Sequence, residues 1–454
     1  MDFASLFYKR ERTMPMKKKP LADPWLFTTD EDKEKTYRLE TSKDLDPLME
    51  RIGDAHFVLL GEASHGTHEY YTWRSAITRR LVKEKGFRFI AVEGDWPDCY
   101  RLNRYIKGYD APEKNAADVL RSFRRWPTWM WANWEIAALA EWMKEHNHGL
   151  SAQKRVGFYG LDVYSLWESM EVLIRYLEKN DPQAAKYAKE AMRCFEYHGR
   201  DEMLYAGHAR SVPDDCRKAA LELLVEVNKR SIFYDHDPEA ALNTEQNAHI
   251  AVGAERYYHS MMSFNDDSWN IRDTHMVDTL HRLVDFHGEG SKCVIWEHNT
   301  HIGDARYTDM VKAGMHNVGQ LVREAYGESD AVLVGFGCYS GKVMAGRAWG
   351  AEMEEMNVPV ARKSSVETLL HGEGSQNRLL IFDRENEKER FRKTLPHRAI
   401  GVVYHPEAEY HNYVPSQLNG RYDAFIYLDE TKAVHALHFK PDSHLVPETY
   451  PFEF

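Results

Sequence analysis

What this chain lacks narrows its function before any motif is read. Five cysteines in 454 residues (Cys99, Cys194, Cys216, Cys293, Cys338), odd in number and never spaced as CxxC, argue against a cysteine zinc site and for reduced thiols in a reducing compartment. No apolar run approaches the roughly eighteen residues a membrane-crossing helix needs, so a soluble, cytoplasmic protein without a membrane partner is expected. Residues 1–25 read as a mobile basic arm: Lys9, Arg10, Arg12 and Lys17 to Lys19 are not followed by the apolar stretch of a signal peptide. The chain's one basic cluster lies in this arm. The net charge of -12 leaves no surface for a phosphate backbone, and no nucleic-acid partner is expected.

The signatures of several enzyme classes are missing as well. Ser64 and Ser340 each sit one position late for the G-x-S-x-G nucleophile elbow, which disfavours an acyl-enzyme. There is no HExxH, no Walker loop and no dinucleotide fingerprint, and the glycines Gly335, Gly337 and Gly341 read as a tight turn at a strand end. No cofactor is expected. Repeats and low-complexity segments are absent, and Gly372 to Ser375 marks an exposed loop.

What is present is a set of short apolar runs that end in acids and imidazoles. Phe57 to Leu60 runs into Gly61-Glu62-Ala63-Ser64-His65-Gly66-Thr67-His68-Glu69; Phe89 to Val92 ends in Glu93 and Asp95; Val156 to Leu161 ends in Asp162; Cys293 to Trp296 ends in Glu297-His298-Asn299-Thr300-His301. Buried strands look like this, and α/β proteins build their sites at the carboxyl ends of such strands. Tyr70, Trp73, Ile77 and Leu81 recur at helical spacing between the first two runs, giving a strand, helix, strand unit whose right-handed crossover places Glu62 and Glu93 on one sheet edge. Further strands are expected at Ala331 to Phe336, Arg378 to Phe382, Ala399 to Tyr404 and Ala424 to Leu428. Residues 166–262 read as helices alone. The expected fold is therefore α/β, a central mostly parallel sheet with flanking helices, in which residues 26–165 and 263–454 form the hydrolytic core and 166–262 a helical cap insertion.

Glu62 and His65 sit three positions apart, close enough for the carboxylate to orient the imidazole as a general base for water; a helix cap made by Ser64 or Thr67, with His65 merely a satisfied polar residue, is the competing reading. Arg74 falls on the apolar side of the next helix, where an arginine needs a partner or a task such as holding an oxyanion. His298 and His301 suit a substrate or a metal equally by spacing, which keeps a metal-dependent hydrolase open. The aromatic stretch Trp126 to Trp134 reads either as core or as the wall of a pocket for a bulky ligand, so a non-catalytic binding protein is the third reading.

Taken in order, Gly61-Glu62-Ala63-Ser64-His65-Gly66, Arg74, Val92-Glu93, Gly160-Leu161-Asp162, Trp269-Asn270-Ile271-Arg272-Asp273 and Glu297-His298-Asn299-Thr300-His301 resemble the erythromycin esterase family, which includes members tied to succinoglycan biosynthesis, over residues 40 to 440. The resemblance implies hydrolysis of a macrolide lactone by water without an obligatory metal, and thus a part in antibiotic resistance. It also implies that Glu62, His65, Arg74, Glu93, His298 and His301 are the catalytic set. Arg74 and His298 are expected at the oxyanion, and Asp162, Trp131 and His68 are expected to meet the small-molecule ester or lactone substrate.

Overall fold

The computed structural model describes residues 35–109, 112–196, 214–230, 239–261, 267–382 and 389–438; the basic arm expected at 1–25 lies outside them. The strands are β1 (Lys35–Arg38), β2 (Phe57–Leu60), β3 (Phe89–Asp95), β4 (Gly157–Asp162), β5 (Cys293–Trp296), β6 (Ala331–Gly346), β7 (Met353–Val358), β8 (Arg378–Ile381), β9 (Thr394–Arg398), β10 (Tyr413–Gln417) and β11 (Ala424–Thr431). One sheet runs β1-β8-β11-β6-β2-β5-β3-β4, with β7 added beside β6. From β11 to β4 every pairing is parallel; β1, β7 and β8 join antiparallel.

The central strands are uninterrupted apolar runs because helices cover both faces of the sheet. Along β2, Val58 and Leu60 enter one core while Phe57 and Leu59 enter the other. The helix His68–Lys85 begins after an extended Thr67 and stops at Gly86, whose φ of 74° lies in the left-handed region that glycine tolerates best. Between Leu166 and Met261 the described elements are helices (Leu166–Asn180, Pro182–Glu196, Asp214–Arg230 and Ala240–Met261), and they share a core of their own built on residues such as Leu173, Ala188, Leu223 and Ala251. Among the described residues no helix is long and apolar enough to cross a membrane.

Three expectations are corrected. Cys194 and Cys216 form a disulfide, with Cα atoms 5.4 Å apart, so only Cys99, Cys293 and Cys338 are free thiols; the helices Pro182–Glu196 and Asp214–Arg230 pack together and align two cysteines whose 22-residue separation carries no pairing signal. Ala399 to Tyr404 contains only isolated bridges at Ile400 and Val403, and the regular strand is the preceding β9. Gly335, Gly337 and Gly341 lie inside the long strand β6, not in a turn, and a Cβ on Gly335 would stand 2.7 Å from the Tyr422 ring.

Candidate active site

Sheet order decides which strand ends meet. β5 lies between β2 and β3, and β4 follows β3, so Glu62 and His65, Glu297 to His301, Glu93 and Asp162 come side by side at one edge. The turn after β2 is held on several sides. Gly61 N–H donates to Val334 O at 2.9 Å, Asn299 N–H to Glu62 O at 2.8 Å, and Ile400 N–H to Ala63 O at 2.7 Å. Both glycines of the turn are required by close approach: a Cβ on Gly61 would lie 2.1 Å from Asn299 Oδ1, and one on Gly66 1.9 Å from Met344 O.

Within this frame His65 Nδ1 lies 3.0 Å from Glu62 Oε1, and Arg74 Nη2 donates to Glu62 Oε2 at 2.6 Å. An ionised carboxylate accepts only, so the Nδ1 proton belongs to His65 and Nε2 is left with its lone pair. Arg74 is fully buried, its guanidinium 4.6 Å from the ring centroids of both Tyr71 and Trp296. It pairs with Glu62 from this buried position. Ser64 shares a short hydrogen bond with Thr67 and is buried, and Thr67 makes no side-chain cap to the helix.

The His298 ring centroid lies 4.9 Å from that of His65. His298 Nδ1 accepts from Thr300 N–H at 3.3 Å and lies 2.8 Å from Thr300 Oγ1, which puts the ring proton on Nε2, a buried atom with no partner of hydrogen-bond geometry and with the Ala63 carbonyl near enough to favour a ring proton. Burial and the neighbouring His65 hold the His298 pKa well below the ordinary imidazole value, so the ring stays neutral. Its backbone N–H donates to Glu93 Oε2 at 2.9 Å.

Arg272, from the first turns of the helix Asp267–His287, ties the remaining groups together. It forks onto Asp162 (Nε to Oδ1 2.9 Å, Nη2 to Oδ2 2.6 Å), reaches Glu93 Oε1 at 2.7 Å and lies with Nη1 2.9 Å from His301 Nε2. The other His301 nitrogen, Nδ1, is 2.9 Å from Asp273 Oδ1, and its ring stacks on Trp269 at 4.5 Å. Burial opposes ionisation of Glu93, but His301, Arg272, His65 and the His298 amide outweigh it and hold the carboxyl far below its usual range. Glu297 behaves oppositely. It is buried with both carboxyl oxygens unpartnered, and burial beside Glu93 and Asp273 drives its pKa well up, so it is a neutral acid.

The six residues expected to be catalytic thus form one connected cluster, with His65 8% and Arg272 9% exposed. Of the three expected at the substrate, Asp162 joins this cluster and the other two make contacts of their own. Asp162 gives both oxygens to Arg272, Trp131 donates its indole N–H to Glu93 O at 2.9 Å from a buried position, and His68 lies 2.6 Å from Glu135. Arg272 is the residue missed as a site member; its signal was the ordered segment Trp269 to Asp273, which ends in two charges on a helix otherwise without a strand-end marker.

The family model for erythromycin esterase matches residues 82–431. The chain belongs to the erythromycin esterase family. Membership points to an esterase-type hydrolase, and the turn bearing Glu62 and His65 precedes the matched span. The chain is 22% identical over 363 residues to the type II erythromycin esterase of Escherichia coli, covering 75% of this chain and 83% of that protein. A hydrolase of Bacillus subtilis named as putative, YbfO, is 21% identical over 66% of this chain and 69% of its own length. Among solved structures, a Bacillus cereus protein superposes with a TM-score of 0.73 at 19% identity, covering 88% of this chain and 96% of that one. A succinoglycan biosynthesis protein gives 0.68 at 21% over 88% and 96%, and an erythromycin esterase mutant in its open conformation 0.65 at 14% over 87% and 97%. These structures share the fold.

Proposed function

We propose that this protein hydrolyses carboxylic esters, lactones among them, through a water molecule deprotonated by His65. The observation that carries this reading is the tautomer imposed on two facing imidazoles. Glu62 fixes the His65 proton on Nδ1 and leaves Nε2 as a base, whereas Thr300 fixes the His298 proton on Nε2 and leaves that nitrogen as a donor. His65 Nε2 takes a proton from water, the hydroxide oxygen bonds to the acyl carbon, and the carbonyl π pair moves onto oxygen as an oxyanion. His298 Nε2–H and the Arg272 guanidinium stabilise that charge. On collapse the C–O bond to the leaving group breaks and the alkoxide takes the proton back from His65, giving acid and alcohol.

Arg74 acts here through Glu62 as a positioning residue, and Glu93 fixes Arg272 and the His298 backbone. A metal ion held by the same residues has less support, because the Arg272 guanidinium already lies against His301 and Glu93, where a bridging cation would meet like charge. The names of the relatives extend the reading to macrolide lactones and antibiotic inactivation. A panel of lactones and simple esters, assayed with and without a strong chelator, tests it. Hydrolysis by the native chain that falls on the order of 100-fold in His65→Ala is expected. Binding of a bulky lactone without turnover of any panel member would replace this reading with that of a binding protein.

A further inference from the structure

Outside the reacting cluster, His68, Glu135 and His435 bring together three distant parts of the chain. His68 opens the helix that follows the Gly61 to Gly66 turn, Glu135 lies in the first turn of the helix Trp134–Asn147, and His435 lies in the segment after β11. Backbone pairing lays that last segment between the other two. His68 N–H donates to Lys432 O at 2.9 Å, Val434 N–H to Gly66 O at 2.9 Å, Trp134 N–H to His435 O at 3.0 Å and Leu437 N–H to Ala132 O at 2.8 Å.

Both imidazoles converge on one oxygen, since His68 Nδ1 and His435 Nδ1 each lie 2.6 Å from Glu135 Oε1. The rings meet edge to face with centroids 5.1 Å apart. The Glu135 carboxylate is completely buried, and the group opens to solvent through His435, whose side chain is 38% exposed. One ligand atom from each residue lies within 4.8 Å of the others; among the described residues no other three His, Cys, Asp or Glu side chains are so grouped. A hydrogen bond explains either histidine contact by itself. Two nitrogens of the same kind facing one buried carboxylate oxygen are also the donor set of a three-ligand cation site with an open fourth position.

We infer that His68, Glu135 and His435 bind a divalent first-row transition ion, zinc foremost, which fastens the segment of residues 432–437 to the turn that carries His65. Two imidazoles and one carboxylate suit zinc and its neighbours, whereas calcium and magnesium call for oxygen ligands. Zinc bonds of about 2.0–2.2 Å in a tetrahedron set neighbouring ligand atoms roughly 3.3 Å apart. Each present gap of 2.6 Å must therefore widen by roughly 0.7 Å, through movement of the half-exposed His435 ring and of the His68 ring, which is 14% exposed.

The test uses the full chain, stripped with a chelator and titrated with zinc chloride alone. One tightly bound equivalent is expected in the native chain, with affinity reduced at least about tenfold in His435→Ala and in His68→Ala and unchanged in His281→Ala. Zinc at about a hundred times its Kd is expected to raise the native Tm by several degrees and to leave that of His435→Ala unmoved. Cobalt(II) supplies a second readout, a visible absorption band lost in the same two variants. Native binding weaker than about 100 μM, or equal zinc affinity in the native chain and His435→Ala, would overturn the inference.

Discussion

Arg74 and His65 grip opposite oxygens of one carboxylate, the arginine at 2.6 Å from Glu62 Oε2 and the imidazole at 3.0 Å from Oε1. Glu62 is thereby held between a buried cation and the proposed base, and its loss would free the imidazole to turn and to change tautomer. Glu62→Gln is expected to lower kcat on the order of 10- to 100-fold with a smaller effect on KM. A kcat within twofold of native would show that the carboxylate orients nothing.

Removing Arg74 leaves the Glu62 charge in the core without its partner. Arg74→Ala should destabilise the fold by about 3–5 kcal/mol, measurable in urea, whereas Arg74→Lys should retain part of the stability because it keeps the charge and loses the fork. An Arg74→Ala protein as stable as the native one would contradict the burial seen here.

If water is the nucleophile, Ser64→Ala and Ser340→Ala keep most of the activity, and a fluorophosphonate labels neither serine. Covalent trapping of either side chain, read by mass spectrometry, would replace the water mechanism with an acyl-enzyme.

The pH dependence has a definite sign. Burial lowers the His65 pKa, but Glu93 and the Glu62 hydrogen bond raise it more, and the net shift is upward from the ordinary imidazole value of 6.5. The base must be neutral to act, so kcat/KM should rise with pH through the His65 ionisation, centred above 6.5. His298, held well below its ordinary value, adds no second inflection in that range. A profile flat between about pH 5 and 9 would remove His65 from the role of base.

Gly66→Ala puts a methyl where Met344 O already stands, 1.9 Å from the new Cβ. The turn must then shift, at a cost of about 1–3 kcal/mol, and because it carries His65 the activity should fall more steeply than the stability. Retained activity with a lowered Tm would separate the turn from the chemistry.

Sequence revealed the strand ends because a strand buried on both faces writes a continuous apolar run, and Phe57 to Leu60 and Cys293 to Trp296 are such runs. The chemistry-bearing residues after them were legible for the same reason. Their neighbours were not. That β5 enters between β2 and β3 is a matter of topology, which periodicity does not encode. Arg272 starts from a helix and acquires its partners from β3, β4 and the turn after β5 only once the chain has closed. His68 gave no hint of His435, because nothing local relates residues so far apart, and Cys194 and Cys216 were hidden in the same way.

The position of β5 also bears on how the protein emerges from the ribosome. β2, β3 and β4 are all synthesised by residue 162, yet the strand that fills the gap between β2 and β3 arrives only with residues 293–296. A nascent chain that has completed the helical block therefore still carries both edges of β2 and one edge of β3 without their partners, which is the condition in which chains aggregate or recruit chaperones. Translation must pass His301 before the acids and imidazoles can meet, so a product truncated ahead of β5 is inactive however well its helices fold.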